Sequence, residues 1–374
     1  MTLWIVIMWV TIVSLGIALS YLGTRVPKFF NPDFVSGWTK MQTFLICSWT
    51  IIGLMGVATF YFNFINAVIC AIYVAMIWAI SDFVFWIFQK VFQISFHHYY
   101  AGWFAIVASV IILSIGWYLN HHAWQINYVV KTSKKTDPLK IVMFADSHLG
   151  TTFGAQGFEK HLKKMQQQNP DIVVVVGDYV DDDTTKEDMV KSTRALGKMK
   201  TKYGIYFVLG NHDKGYYGAH RRGFNLQDLI NELTRNGIVV MQDETIQLND
   251  SFYLIGRRDF SEVKERRAGR QSMEELIKNL DKNKYMIVLD HQPADYENQA
   301  KSGVDLVLSG HTHCGQLFPF NWVGKWIGVN DSVYGHERRN KTDFIVTSGI
   351  SNWAIKFKTG TKSEYVVINV EPEE

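Results

Sequence analysis

The stretch DIVVVVGDYVD, residues 171–181, places five consecutive β-branched residues ahead of a glycine and a carboxylate. A short, continuous apolar run bounded by Gly, Asp or Pro is the pattern of a strand buried on both faces. Four further runs are built the same way. LKIVMFA (139–145) precedes Asp146, GIYFVLG (204–210) precedes Asn211, YMIVLD (285–290) precedes His291, and VDLVLSG (304–310) precedes His311. Each polar residue therefore falls just past the carboxyl end of a strand, the edge at which open α/β sheets carry their sites.

The residues at that edge have a chemistry in common. Asp146, His148, Asp178, Asn211, His291, His311 and His313 offer oxygen and imidazole donors from several directions, which suits hard or borderline divalent ions. Two such ions roughly 3.5–4 Å apart require a carboxylate shared between them. The set is thus expected to hold a dinuclear centre. Helix patterns lie between the strands. Phe158, Leu162 and Met165 share one face, Leu226, Leu229, Ile230 and Leu233 another behind an Asn225 cap, and Ser272 with Glu275 forms a capping box ahead of Met273, Leu276, Ile277 and Leu280. Strands alternate with helices to about residue 311; later segments such as DFIVTSG and SEYVVINV read as strands with no helix between them.

In order along the chain stand Asp146-Ser147-His148, Gly177-Asp178-Tyr179-Val180-Asp181, Gly210-Asn211-His212-Asp213, the lone His291, and Gly310-His311-Thr312-His313. This series resembles the D-x-H, G-D-x-x-D, G-N-H-D/E, H, G-H-x-H motifs of the calcineurin-like metallophosphoesterase superfamily, and the resemblance covers most of residues 138–370. It implies a fold of two packed mixed β-sheets flanked by helices. It also implies that Asp146, His148 and His313 hold one metal, that Asn211, His291 and His311 hold the other, and that Asp178 bridges them. His212 would then face the scissile phosphate as a catalytic residue, with Asp213 as its orienting partner. Manganese or zinc is the expected metal, with iron as an alternative. Cys314 stands where the subgroup with G-H-T-H-G-G-Q has Gly, and a thiol next to a ligand would favour a softer ion such as zinc.

The amino-terminal part is a different polymer. Residues 1–130 hold only Arg25, Lys28, Lys40 and Lys90 against Asp33 and Asp82, whereas the remaining 244 residues hold 34 basic and 33 acidic side chains. The composition places a boundary near residue 130, dividing a transmembrane region, 1–130, from a catalytic domain, 131–374. Segments 3–22, 41–60, 67–88 and 101–119 are each long enough to cross a bilayer core, which takes about 20 apolar residues. Tyr and Trp residues cluster near their ends, as expected of rings at headgroup depth. Arg25, Lys28 and Lys40 in the first loop and Lys90 in the third favour those loops in the cytoplasm and the catalytic domain outside it, while Lys131, Lys134, Lys135 and Lys140 pull the other way. Cys47, Cys70 and Cys314 draw no disulfide framework in the catalytic domain.

Substrate contacts are sought in the loops between motifs. His220, Arg221 and Arg222 follow GNHD closely, and Arg257, Arg258, Lys264, Arg266, Arg267 and Arg270 crowd one segment. Arg221, Arg222, Arg257 and Arg258 are the candidates for phosphate recognition by guanidinium; a basic face on anionic lipid is the competing reading. Behind GHTHCGQ runs LFPFNWVGKWI, residues 317–327, which would insert into a bilayer surface or an acyl groove if exposed and would be core if buried. A tethered phosphohydrolase with membrane lipids as partners and a lipid-linked phosphate or pyrophosphate as substrate is the expectation. The competing classes are a broad phosphodiesterase of soluble nucleotides or nucleic acid and a non-catalytic membrane sensor. A net charge of +1 over residues 131–374 gives little footprint for a polyanion, and structural metals alone have no need of His212.

Overall fold

The computed structural model describes residues 2–30, 32–265 and 269–373, and the side chains within them except at 2–4, 32–33 and 264–265. Arg266, Arg267 and the side chain of Lys264, counted above in the basic segment, lie outside the described residues. The chain divides into two compact units, Met1–Trp117 with Ala354–Lys356 and Tyr118–Trp353 with Phe357–Glu374.

The first unit is built from long apolar helices: α1 (Thr2–Gly23), α2 (Lys40–Phe62), α3 (Phe64–Phe92) and α4 (Tyr100–His121), the last of which runs on into the second unit. All four are long and apolar enough to cross a membrane. Large apolar side chains such as Trp9, Leu54 and Phe83 point outwards along them, the arrangement of helices whose solvent is lipid. A reciprocal capping box between Thr39 and Gln42 starts α2. Asp82, the carboxylate within α3, accepts hydrogen bonds from Tyr21 Oη at 2.6 Å, Tyr99 Oη at 2.6 Å and Arg25 Nε at 2.7 Å. Its charge is thereby matched inside the helix bundle, as an ionisable group there requires.

The second unit contains two six-stranded mixed sheets. The first holds β1 (Trp124–Thr132), β12 (Glu364–Pro372), β2 (Leu139–Phe144), β3 (Ile172–Val176), β4 (Ile205–Val208) and β5 (Ile238–Met241) in that spatial order. The second holds β10 (Gly335–Arg339), β11 (Thr342–Val346), β9 (Leu306–Ser309), β8 (Tyr285–Leu289), β7 (Phe252–Gly256) and β6 (Glu244–Gln247). The strands β2 to β5 are parallel, and β12 runs antiparallel to β2 and parallel to β1. The unit begins at Tyr118, upstream of the boundary read near residue 130, because β1 pairs along its whole length with β12.

Alternation along each strand explains the layers. Val142 and Phe144 of β2 pack with Phe158, Leu162 and Met165 of α5 (Ala155–Gln166), Met189 and Leu196 of α6 (Lys186–Leu196), and Leu229 and Leu233 of α7 (Leu226–Arg235). Ile141 and Met143 point the other way, into a core shared with Leu254, Ile287, Leu306 and Ile345 of the second sheet. The outer face of that sheet is covered by Met273, Leu276, Ile277 and Tyr296. Strands buried on both faces have no polar side to show, which is why IVVVV reads as a continuous run. The Asn225 and Ser272 capping boxes both form.

Candidate metal centre

The loops that leave β2, β3, β4, β8 and β9 converge on one edge of the paired sheets, and the turns there are tight. Asp146, His148, Asp178, His311 and His313 all have positive φ, between 35° and 71°, conformations that L side chains hold only where the surroundings impose them. Gly177, at φ +80°, permits a close approach: a Cβ there would lie 2.4 Å from His291 Nδ1.

Two groups of donors result. Asp146, His148 and His313 form one, and Asp178, His291 and His311 the other, the donor atoms of each lying within 4.8 Å of one another. Asp178 Oδ2 also stands 3.7 Å from His148 Nε2 and 3.1 Å from His291 Nε2, so this carboxylate belongs to both groups. Asn211 is buried beside them, its Nδ2 donating to Tyr216 Oη at 3.1 Å while its Oδ1 has no partner.

Whether these residues suit metal ions is tested by their own hydrogen bonds. His291 Nδ1 lies 2.8 Å from the Val176 carbonyl and donates to it, which aims Nε2 at Asp178 Oδ2, 3.1 Å away. At that separation in a buried site a positive charge, a proton or a metal ion, must lie between the nitrogen and the carboxylate. His148 repeats the pattern, with Nδ1 held 3.2 Å from Asp181 Oδ2 and Nε2 3.2 Å from His313 Nε2. His291 Nε2, His311 Nδ1, His313 Nδ1 and Asn211 Oδ1 are all buried without a hydrogen-bond partner, a cost that metal ligation removes. Burial pushes the His311 imidazole down to about 4, with His291 adding to the effect, and burial, then His148, takes His313 well below its ordinary range. Both rings are therefore neutral, the ligating form. The residues fit two divalent ions.

The neighbours revise several expectations. Asp213 does not orient His212: its carboxylate accepts the amide N–H of Asp178 (3.0 Å), Tyr179 (2.9 Å), Val180 (3.0 Å) and Gly210 (2.8 Å), fixing the backbone that carries Asp178 and Asn211. His212 is held instead by its backbone N–H on Asp178 Oδ1 at 2.8 Å, with its ring among those of His148, Tyr216 and Trp353, centroids 5.1–5.2 Å away. Asp181 opens the run Asp181-Asp182-Asp183, a block of like charge of the kind that usually faces water. Asp181 itself is buried, and it orients His148. Asp182 caps the amides of Tyr216 and Tyr217, and Asp183 pairs with Arg221 at 2.7 Å. The final Asp of G-D-x-x-D was the sequence signal for Asp181; nothing in sequence pointed to Trp353 or Tyr216.

The four arginines named for substrate are spent elsewhere. Arg222 is buried and donates to the carbonyls of Asp213, Asp181 and Phe224. Arg257 is buried between Asp290 at 3.0 Å and Asp295 at 2.7 Å, joined by Arg270. Arg221 lies on the surface over the Tyr217 ring, and Arg258 faces Asp243 at 3.6 Å. Among the described residues none of the four reaches the donor groups. Cys314 is in neither donor group: its thiol bonds to Thr361, and burial pushes its pKa up.

Two packed mixed sheets between helices, with histidine and carboxylate donors gathered at the carboxyl ends of the strands, define a metallophosphoesterase-type centre. The chain belongs to the calcineurin-like phosphoesterase family, whose model matches residues 139–315. It is 34% identical over 195 residues to a metallophosphoesterase of Aquifex aeolicus, covering 51% of this chain and 70% of that protein. A metallophosphoesterase of Campylobacter jejuni is 32% identical over 62% of this chain and 59% of its own length. A transmembrane protein with metallophosphoesterase domain from Danio rerio is 31% identical over 63% of this chain and 54% of its own. The chain thus spans less than two thirds of the latter two. Among solved structures, a dimetal phosphatase from Danio rerio is similar at a TM-score of 0.37 and 12% identity, covering 57% of this chain and 88% of that one.

Proposed function

We propose that this protein is a membrane-bound, dinuclear metal-dependent phosphohydrolase that cleaves a phosphoester or pyrophosphate bond of a membrane-associated, lipid-linked substrate. The observation that carries the reading is the pair of donor groups joined by Asp178, whose Oδ2 faces His291 Nε2 at 3.1 Å and His148 Nε2 at 3.7 Å. Asp146, His148 and His313 would hold one divalent ion and Asn211, His291 and His311 the other, and such a pair would supply neutralisation of phosphate charge and an activated water at neutral pH.

The chain's own residues do the rest. Asp213 keeps the Asp178 and Asn211 loops in register through four amides. Asp181 and the Val176 carbonyl fix the tautomers of His148 and His291. His212, half-buried at the mouth between Tyr216 and Trp353, donates a hydrogen bond to a phosphoryl oxygen or the leaving oxygen. The four membrane helices keep the enzyme where a lipid-linked phosphate is found, and the loop charges support an extracytoplasmic domain. Protease digestion of intact spheroplasts tests that orientation: cleavage of the domain supports it and protection refutes it.

Activity is tested with detergent-purified full-length protein, stripped of metal and then given Mn²⁺ or Zn²⁺, on bis(p-nitrophenyl) phosphate and p-nitrophenyl phosphate. Metal-dependent turnover that His212→Ala abolishes while both metals stay bound is expected. Unchanged turnover in that variant would overturn the role of His212, and no turnover with both metals bound would overturn the enzymatic reading.

A further inference from the structure

The sheet register ties the metal edge to the place where the chain leaves its last membrane helix. In β12, Val366 pairs with Met143 of the antiparallel β2, so Glu364 lies beyond the end of β2, level with Ala145 and next to Asp146. Trp124, the first residue of β1, pairs with Glu364 in parallel register. The strand that receives the chain from α4 therefore starts at the ligand edge, with only His122 and Ala123 between helix and strand.

Hydrogen bonds within the second unit fasten this junction to the loops around the site. The Leu119 carbonyl accepts Ser363 N–H at 2.9 Å and the Asn120 carbonyl accepts Ser363 Oγ at 2.8 Å. Asn120 Nδ2 donates to Thr152 Oγ1 at 3.0 Å, in the loop that follows His148. Tyr118 and His122 stack at the helix end and Trp124 meets both rings edge-on, with Lys362 Nζ over the Trp124 ring at 5.4 Å. An aromatic and cationic cluster at the end of an apolar helix marks headgroup depth. The metal ligands lie at the same edge as that mark.

One loop projects from this edge with its apolar side chains uncovered. Beginning four residues after His313, the segment Leu317–Val329 exposes Phe318, Phe320, Trp322, Trp326, Ile327 and Val329 by 44–75%. It is anchored on both sides of the site. Asn321 Nδ2 donates to the Cys314 carbonyl at 2.8 Å, and Phe318 N–H donates to the Thr359 carbonyl at 2.8 Å, four residues before Ser363. A contiguous aromatic surface of this kind is unusual on a face that meets water and is the composition of a segment lying in a bilayer interface.

We infer that Leu317–Val329 is a membrane-docking loop whose aromatic side chains enter the leaflet bordering the end of α4, so that the metal centre opens at headgroup depth onto the phosphate of an amphiphile. The assignment rests on the phosphohydrolase reading for its substrate but not for its geometry. The occupant is the bilayer, because two residues of chain leave the ligand edge no room to be remote from it. The substrate keeps its hydrocarbon in the leaflet while its phosphate reaches the ligands.

The test uses the full chain in nanodiscs of phosphatidylcholine and phosphatidylglycerol, with Cys47→Ser and Cys70→Ala. An environment-sensitive fluorophore is attached at Trp326→Cys or, if that variant folds poorly, Trp322→Cys. A control label at Lys282→Cys sits before β8, at the opposite edge of its sheet. Brominated acyl chains are expected to quench the loop label at least threefold more than the control. Equal quenching at both sites would overturn the inference, as would energy transfer between labelled copies in place of quenching, which would assign the loop to a second copy of the chain. Phe320→Ser with Trp326→Ser is expected to lose the docking while turning over bis(p-nitrophenyl) phosphate within twofold of the parent; loss of the soluble activity would make the loop a catalytic wall and also overturn it. Quenching needs no turnover, so an inactive protein that docks would refute the enzymatic reading alone.

Discussion

Asp181→Asn removes one charge and almost no volume, and its consequence can be followed atom by atom. The Asp181 carboxylate is buried, with Oδ1 accepting the Asp183 amide at 2.8 Å and Oδ2 facing His148 Nδ1 at 3.2 Å. In the variant the amide oxygen keeps the Asp183 bond and the NH2 group turns to His148. Nδ1 must then accept, which moves the ring proton to Nε2, the nitrogen 3.7 Å from Asp178 Oδ2 and 3.2 Å from His313 Nε2. A proton there blocks ligation, so the metal must displace it or break the new hydrogen bond. Partners of this kind contribute about 10–100-fold to metal affinity, on the order of 1.4–2.8 kcal/mol, and the forced tautomer argues for the upper end. Chelator competition followed by elemental analysis of the purified chain should show one metal weakened by that factor and the other held. Equal affinity for both metals in variant and parent, within twofold, would refute the reasoning.

Asp213→Ala leaves four buried amides without their acceptor and is expected to lower thermal stability by about 3 kcal/mol or more, with Asp213→Asn intermediate; an unchanged melting temperature would be inconsistent with the clamp. Arg257→Met strips a buried partner from Asp290 and Asp295 and should cost about 3 kcal/mol of stability while the KM for a chromogenic phosphodiester stays within twofold; a rise in KM without destabilisation would restore its substrate role. For His161, packed on Phe153 in α5, burial pushes the pKa down to about 4 from its ordinary 6.5. Between those values the unfolded chain binds the proton and the folded one does not. Stability is therefore complete above pH 6.5 and falls as pH drops towards 4, by on the order of 3 kcal/mol. His161→Phe should flatten that decline in acid melting curves, and a parallel decline would count against it.

What could be read from sequence follows the reach of each interaction. Strands such as IVVVV and LKIVMF and the four apolar spans are legible because periodicity and length are local properties. The ligands are legible because each follows its strand directly. Asp181 was hidden in a run of three acids, since only the fold distinguishes the carboxylate turned inward beside Val180 from its solvated neighbours. The role of Asp213 was invisible for a different reason: its partners are backbone amides that no side-chain pattern encodes. Arg222 and Arg257 carry the signature of phosphate contacts, yet tertiary packing brought carbonyls and Asp290 to them instead. Residues 317–327 fit core and membrane equally as a string of letters, and exposure was the missing quantity.

The central claim is that Asp178 joins two donor groups into one dinuclear centre, and counting metals tests it most directly. Elemental analysis of full-length protein loaded with Mn²⁺ or Zn²⁺ and freed of excess should give two ions per chain. Asp178→Asn should give one or fewer, and with it no metal-dependent phosphodiester turnover. Two ions retained by Asp178→Asn, or a single ion in the parent, would contradict the account.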